Sequence, residues 1–291
     1  MIKLWQQVLE PVMIAAGSKI ILEIGAEYGS STSTLLDFVA KNGGYLHSID
    51  PAPGFDAEKF EKENSAHVTI YRDLSLNAIP SIPIFDAALI DGDHNWYTVY
   101  NELLAIERLH GHNALGQPLI FVHDTEWPYG RRDLYYDPET IPQQYRLPYS
   151  KGGILPNSSE LDPVNGINTH LDNAHREGGE HNGVMAGVED YLSETKLNFR
   201  TFHLPCYHGL TILLTEDRLA TDEALAKCME QLFSSQSLLN LLERMEKIRC
   251  TDLTLLQTAV RNLRHELQTT KSLLTKIVPE KSEPKKSPAK K

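Results

Sequence analysis

Five short apolar runs divide the first half of the chain, each followed by a polar turn, and several of them then by a stretch with helical spacing. The runs are Ile20 to Ile24, Tyr45 to Ile49, His67 to Tyr71, Ala87 to Ile90 and Pro118 to Val122. Short and nearly continuous, they read as strands buried on both faces, the habit of parallel sheets. Between the first two, Leu35, Leu36 and Val39 recur at helical spacing behind the capping residues Ser30, Ser31 and Thr32, and Gly43 and Gly44 end the helix. After the fourth, Val99, Leu103 and Ile106 mark an amphipathic helix. Strand and helix in alternation predict a doubly wound, Rossmann-like α/β domain. Ahead of it, Ile2 to Ala16 reads as one or two helices packing on the sheet.

The pattern then changes. Residues 127–189 have no period and are rich in Pro, Gly, Asn, Tyr and His. A loop this long within a compact domain is a lid, a binding loop or a disordered segment. Trp127, Tyr129, Tyr135, Tyr136, Tyr145 and Tyr149 favour an ordered lid, because disordered segments are poor in aromatics. A helix over 187–195 follows, then two strands in FRTFHLPCYHGLTILLT about a loop at Pro205 to Gly209, so the domain closes near Thr215. Residues 216–278 read as helical. From Leu253, apolar residues fall at 253, 256, 260, 263, 267, 274 and 277, with Thr270 breaking the alternation of three and four. That seam predicts a coiled coil joining copies of the chain, with Glu266 facing Lys271 of a parallel partner; a helix lying on its own domain is the alternative. The last segment, 279–291, is a low-complexity basic tail expected to be disordered.

Composition narrows the partners. The net charge is -11, and the tail holds five lysines and two glutamates, so the rest carries 23 basic against 37 acidic residues, or -14. An acidic body argues against nucleic acid, whose binding rests on neutralising phosphates. Cys206, Cys228 and Cys250 form no CxxC pair and no disulfide framework, which suits a reducing cytoplasm. No stretch is long and apolar enough for a transmembrane helix, and Gln6, Gln7, Glu10 and Pro11 break the N-terminal segment where a signal peptide would be continuous.

The chemistry gathers at strand ends. Behind the first strand, Gly25 and Gly29 let the chain turn and a ligand approach the backbone, while Asp50 ends the second strand about twenty residues on, where a ribose would be held. This is the layout of a nucleoside-cofactor cradle. Glu23, inside the first strand, needs a hydrogen-bonding partner if buried. The fourth strand ends in Asp91, Gly92, Asp93 and His94, and the fifth in His123, Asp124, Thr125 and Glu126. Carboxylates converging from two neighbouring strand tips repel unless they share a cation or proton. Oxygen-rich ligation of that kind suits Mg²⁺ or Mn²⁺.

EIGAEYGSS, residues 23–31, resembles the first motif of class I S-adenosylmethionine-dependent methyltransferases, above all the catechol and caffeoyl-CoA O-methyltransferase branch, in which the glycine at the position of Glu27 is replaced. The resemblance implies a seven-stranded sheet completed by a terminal antiparallel hairpin. It implies S-adenosylmethionine as cofactor, held by Glu23, Gly25, Ala26, Gly29, Ser31, Asp50 and Asp91, with Asp73 and Ser75 near adenine. Asp73 and Ser75 could equally cap a short helix through Leu76. A divalent metal would bind Asp91 and Asp124, with His94 as general base in the manner of macrolide-sugar O-methyltransferases. Thr125 stands where that family usually has asparagine, which leaves His123 and Glu126 as candidates for a third ligand. PYGRRDLYYDPETIP resembles methyltransferases of bacterial surface-glycan clusters and implies a sugar acceptor, in a polysaccharide or a nucleotide-linked precursor, and glycan-synthesis enzymes as partners. Tyr129, Arg131 and Arg132 are then candidate substrate residues, although exposed arginines also pair with nearby acids such as Asp133, Asp137 and Glu139. Two rival readings remain: a metal-dependent hydroxylase of the cephalosporin-hydroxylase branch, and a non-catalytic assembly module.

Overall fold

The computed structural model describes residues 1–111 and 114–277, with side chains up to 273; the basic tail 279–291 lies outside them. After short 3₁₀ and π turns over Ile2–Leu9, the chain forms α1 (Glu10–Ala15), β1 (Ile20–Ile24), α2 (Ser30–Lys41), β2 (Tyr45–Ile49), α3 (Ala57–Glu63), β3 (Val68–Tyr71), α4 (Ser75–Ala78), β4 (Ala87–Ile90), α5 (Trp96–His110) and β5 (Leu119–His123). Three small strands follow, β6 (Leu134–Tyr135), β7 (Tyr149–Lys151) and β8 (Asp172–Ala174). Then come α6 (Val184–Glu194), β9 (Phe199–Leu204), β10 (Leu210–Thr215), α7 (Glu216–Thr221), α8 (Glu223–Phe233) and α9 (Gln236–Ile277).

The main sheet has seven strands in the order β3-β2-β1-β4-β5-β10-β9. The first five run parallel, and β10 enters antiparallel to both β5 and β9. The expected Rossmann-like sheet and its closing hairpin are therefore present. β1, β4 and β5 are almost wholly buried because both faces are covered. On one face Ile21, Leu46, Ala87 and Phe121 pack under the N-terminal helices, α2 and α8. On the other, Leu22, Ala88, Ile120 and Leu213 pack under α5 and α6. Strand order reverses between β1 and β4, and in open α/β sheets that switch point opens a crevice at the carboxyl ends of the strands.

The aperiodic segment contains a three-stranded sheet, β6-β8-β7, over its own apolar cluster of Tyr129, Leu134, Ile154 and Ile167. Strands of two or three residues are too short to show a period of two. Buried Asp133 ties this insertion to the main domain. Its Oδ1 accepts from Trp96 N and Gly183 N at the starts of α5 and α6, and its Oδ2 accepts from the Tyr135 hydroxyl. The Gly183 anchor also explains why α6 begins at Val184, three residues before the helix expected from sequence. Gly183 has φ +95, and a Cβ there would meet Arg131 and Arg132 backbone at 2.5–2.6 Å.

Candidate functional site

The glycine turn and the β4 tip touch. A Cβ on Gly25, whose φ is +94, would lie 2.2 Å from the carbonyl oxygen of Asp91. Behind the turn, the Glu23 carboxylate is buried and accepts from the Thr32 hydroxyl at 2.8 Å and the Ser48 hydroxyl at 2.6 Å. Burial raises its pKa, and the hydroxyl of Ser31 adds a further contact that lowers it. Asp50 Oδ2 accepts from Ala26 N at 2.9 Å and Glu27 N at 2.8 Å, so it holds the turn in shape from below. Gly29, at φ +79, caps α2, and Ala26 is buried.

The residues expected near adenine divide. Asp73 is exposed and accepts from Leu74 N and Asn77 Nδ2, closing its own short turn. Ser75 is buried at the start of α4 and adjoins Glu102 of α5, a fully buried acid whose pKa is pushed up to about 8 by burial.

At the strand tips four groups meet. His123 Nδ1 lies 3.0 Å from Asp91 Oδ1 and 2.8 Å from Asp124 Oδ2. His94 Nε2 lies 3.1 Å from the same Asp124 oxygen and 4.0 Å from Asp91 Oδ1. The amine of Met1 stands 3.0 Å from Asp91 Oδ2. Asp124 adopts φ +58, a left-handed conformation sparsely populated outside glycine. That turn brings its carboxylate back over the end of β5. Burial would raise the pKa of both carboxyls, but the facing His123 and His94 overcome it and hold them low. Conversely, burial would lower the pKa of the imidazoles, but Asp124 and its neighbours push His123 up to about 9 and raise His94 well above its usual value.

This donor set fits a divalent cation. Asp91, His123 and Asp124 each offer one ligand atom within 4.8 Å of the others. Nitrogens of His123, His94 and Met1 already crowd both carboxylates. His123 Nε2 is buried without a protein partner. Of the two candidates for a third ligand, Glu126 turns away and pairs with His203 of β9 at 2.9 Å, while Thr125 meets the hydroxyl of Thr211. His123 is therefore the third group that the fold delivers to the site. A second grouping, His208, Glu246 and Cys250, is closed by Arg249, whose guanidinium bonds both Glu246 and His208.

Aromatic rings wall the site. Tyr129 stacks on His94 at 5.4 Å between centroids and 10° between planes, and the Tyr136 hydroxyl is 3.4 Å from His94 Nδ1. Neither aromatic contact was legible in the aperiodic segment. The two arginines fare differently. Arg131 makes a bidentate pair with Glu189 at 2.6 Å on the surface. Arg132 is fully buried and donates to the carbonyls of Ala174 and Ser159, inside the insertion and away from the strand tips. Arg146, also in the insertion, pairs with Glu139.

Residues 22–125 match a family model described as a methyltransferase domain. No curated protein matches the sequence. Among solved structures, similarity extends to a methyltransferase of Podospora anserina with bound SAH, at 14% identity over 72% of this chain and 77% of that one, with a TM-score of 0.45. It extends also to a candidate caffeoyl-CoA O-methyltransferase of Staphylococcus aureus, at 14% identity over 70% and 79%, TM-score 0.40. A third is the 1,6-didemethyltoxoflavin-N1-methyltransferase of Burkholderia thailandensis, at 11% identity over 73% and 80%, TM-score 0.38. Likenesses this distant leave the chemistry to be argued from the residues themselves.

Proposed function

We propose that the chain is an S-adenosylmethionine-dependent O-methyltransferase with a divalent cation at the strand tips. The observation that carries this reading is the meeting of Asp91, His94, His123 and Asp124 beside the Gly25 turn. The match of residues 22–125 to a methyltransferase domain supports the cofactor. Gly25, Ala26 and Gly29 would let its methionine end approach the backbone, with Glu23 and Ser31 beneath and Asp50 bracing the turn. Asp73 and Ser75 would lie toward its adenine.

Asp91, Asp124 and His123 would hold the cation, Mg²⁺ or Mn²⁺, which when bound would lower the pKa of an acceptor hydroxyl. His94 would take that proton. Its raised pKa reflects the nearby carboxylates, and neutralising them releases the imidazole toward the range of a general base. Tyr129 and Tyr136 fix the ring, so rate enhancement would come chiefly from positioning donor and acceptor in line. Tyr136, exposed beside His94, would also offer aromatic surface to the acceptor, which supports a sugar hydroxyl on a glycan or its precursor. Arg131 would join an acceptor only by leaving Glu189. Surface-glycan enzymes are the proposed partners and the cytoplasm the proposed compartment; among the described residues no helix is long and apolar enough to cross a membrane.

A second reading has one specific support. Two imidazoles beside two carboxylates also suit a redox-active iron, as in a hydroxylase. Methyl transfer to a glycan extract, with chelator and His94→Gln controls, separates them. The proposal expects transfer that falls by roughly 10²–10⁴ in kcat on losing the base. Oxygen consumption without methyl transfer would replace it with the hydroxylase reading, and cofactor binding without either activity with an assembly module.

A further inference from the structure

Helix α9 is inside out. At 42 residues it is the longest element, and ten of the seventeen exposed large hydrophobic side chains among the described residues lie on it. Leu238, Leu241, Met245 and Ile248 begin a stripe that Leu256, Leu263 and Leu267 continue, each at least half exposed. At 3.6 residues per turn the ten fall within an arc of about 140°. In its first two turns α9 sets Leu239 and Leu242 against the domain's apolar cluster, but beyond them the side facing the domain is polar. There Glu246 accepts from His208 N at 2.8 Å, Cys250 and Thr254 are buried, and Arg261 donates to Gly166 O at 3.2 Å. A helix normally buries its apolar stripe and solvates the polar one. Here the domain has taken the polar face and left the apolar face open.

We infer that this stripe is the seat of a second copy of the chain, α9 against α9, and that the interface starts at Leu238, well before the seam expected from Leu253. The inference does not rest on the methyltransferase reading. Three observations favour a copy as the occupant. Spacing alternates three and four over 238, 241, 245 and 248 and again over 256, 260, 263 and 267, as a two-helix seam requires. Eight residues separate Ile248 from Leu256 where a heptad has seven, so the seam slips register once at exposed Asp252. Ten half-exposed side chains offer on the order of 800 Å² per copy, the share each partner gives to a standard stable interface. Finally, the body contacts the opposite side of the helix, so two copies meet seam to seam without their domains colliding. A lipid surface fits less well, because Asp252 and Glu266 lie within the same arc and a carboxylate at an acyl boundary is costly, whereas between two helices Asp252 falls at the register slip and Glu266 beside Leu267 at the flank.

The test is sedimentation of the full chain across a concentration range, beside the double variant Leu256→Glu, Leu263→Glu. The native protein should sediment as a dimer at micromolar concentration and the variant as a monomer. Circular dichroism melting of the variant should retain the domain transition, since neither side chain packs on the domain. A native monomer throughout, a trimer or larger, or a variant that still dimerises would each overturn the inference. So would co-flotation of the native chain with phosphatidylglycerol vesicles that the same double variant abolishes, which would assign the stripe to lipid.

Discussion

His94 Nε2 lies 3.1 Å from Asp124 Oδ2, although the two residues belong to different strand tips and are separated by a helix and a strand. Asp124 is buried and His94 largely so, and each shifts the other's pKa toward its charged form. The pair makes the site an ionic cluster before any ligand arrives, and it sets the terms on which a cation or a substrate could enter.

The third ligand can be tested directly. His123→Ala should weaken Mn²⁺ binding, read by electron paramagnetic resonance, by about tenfold or more, since a first-sphere donor is lost. Glu126→Ala should leave binding within about twofold of native, because Glu126 pairs with His203. Equal losses in both variants would show that the site reaches further toward β9 than the fold implies.

Stability of the metal-free protein should depend on pH in a defined sense. His123 has its pKa raised to about 9 by Asp124 and Asp91, against roughly 6.5 when unfolded. The native state thus binds the proton more tightly. Its contribution is fully present below about pH 6.5 and is lost as pH rises through about 9. In chelator the melting temperature should fall across that window, by about 2–4 °C for each kcal/mol lost. A melting temperature flat from pH 6 to 10 would mean that the imidazole is neutral in the native state.

The two adjacent arginines should differ sharply. Arg131→Ala removes an exposed ion pair with Glu189 and should cost about 0–1 kcal/mol in urea denaturation. Arg132→Ala empties a fully buried site and removes the guanidinium that donates to the Ala174 and Ser159 carbonyls, so a loss of roughly 3 kcal/mol or more is expected. Similar costs for both would contradict the buried placement of Arg132.

Gly25→Ala places a methyl group 2.2 Å from the Asp91 carbonyl on a backbone with φ +94. The turn and the β4 tip must separate, with a cost of about 3 kcal/mol or more and loss of cofactor binding by calorimetry. Gly17→Ala is the control: its φ is +63 but nothing lies within 4 Å, so only the backbone penalty of about 1 kcal/mol applies.

Most of the domain was legible because parallel strands buried on both faces must be apolar throughout, and the chain spells out five such runs in order. The acidic tips could be read for the same reason, since a carboxylate that follows a buried strand stands at the crevice. The insertion was opaque. Its strands have two or three residues, and its organising residue, Asp133, is an acid like any other until Trp96, Gly183 and Tyr135 converge on it.

By itself, then, the sequence determined the run of strands along the chain, the residues at their tips and the apolar spacing of the last helix, because each is a local pattern tied to a local period. Tertiary structure set His123 beside Asp91 and Asp124 and turned Glu126 to His203, sent Arg132 inward and Arg131 outward, and turned the apolar face of α9 away from its own domain. Those outcomes depend on which groups meet across the fold: a left-handed turn at Asp124, a histidine on β9, and a polar loop that claims the other side of the helix.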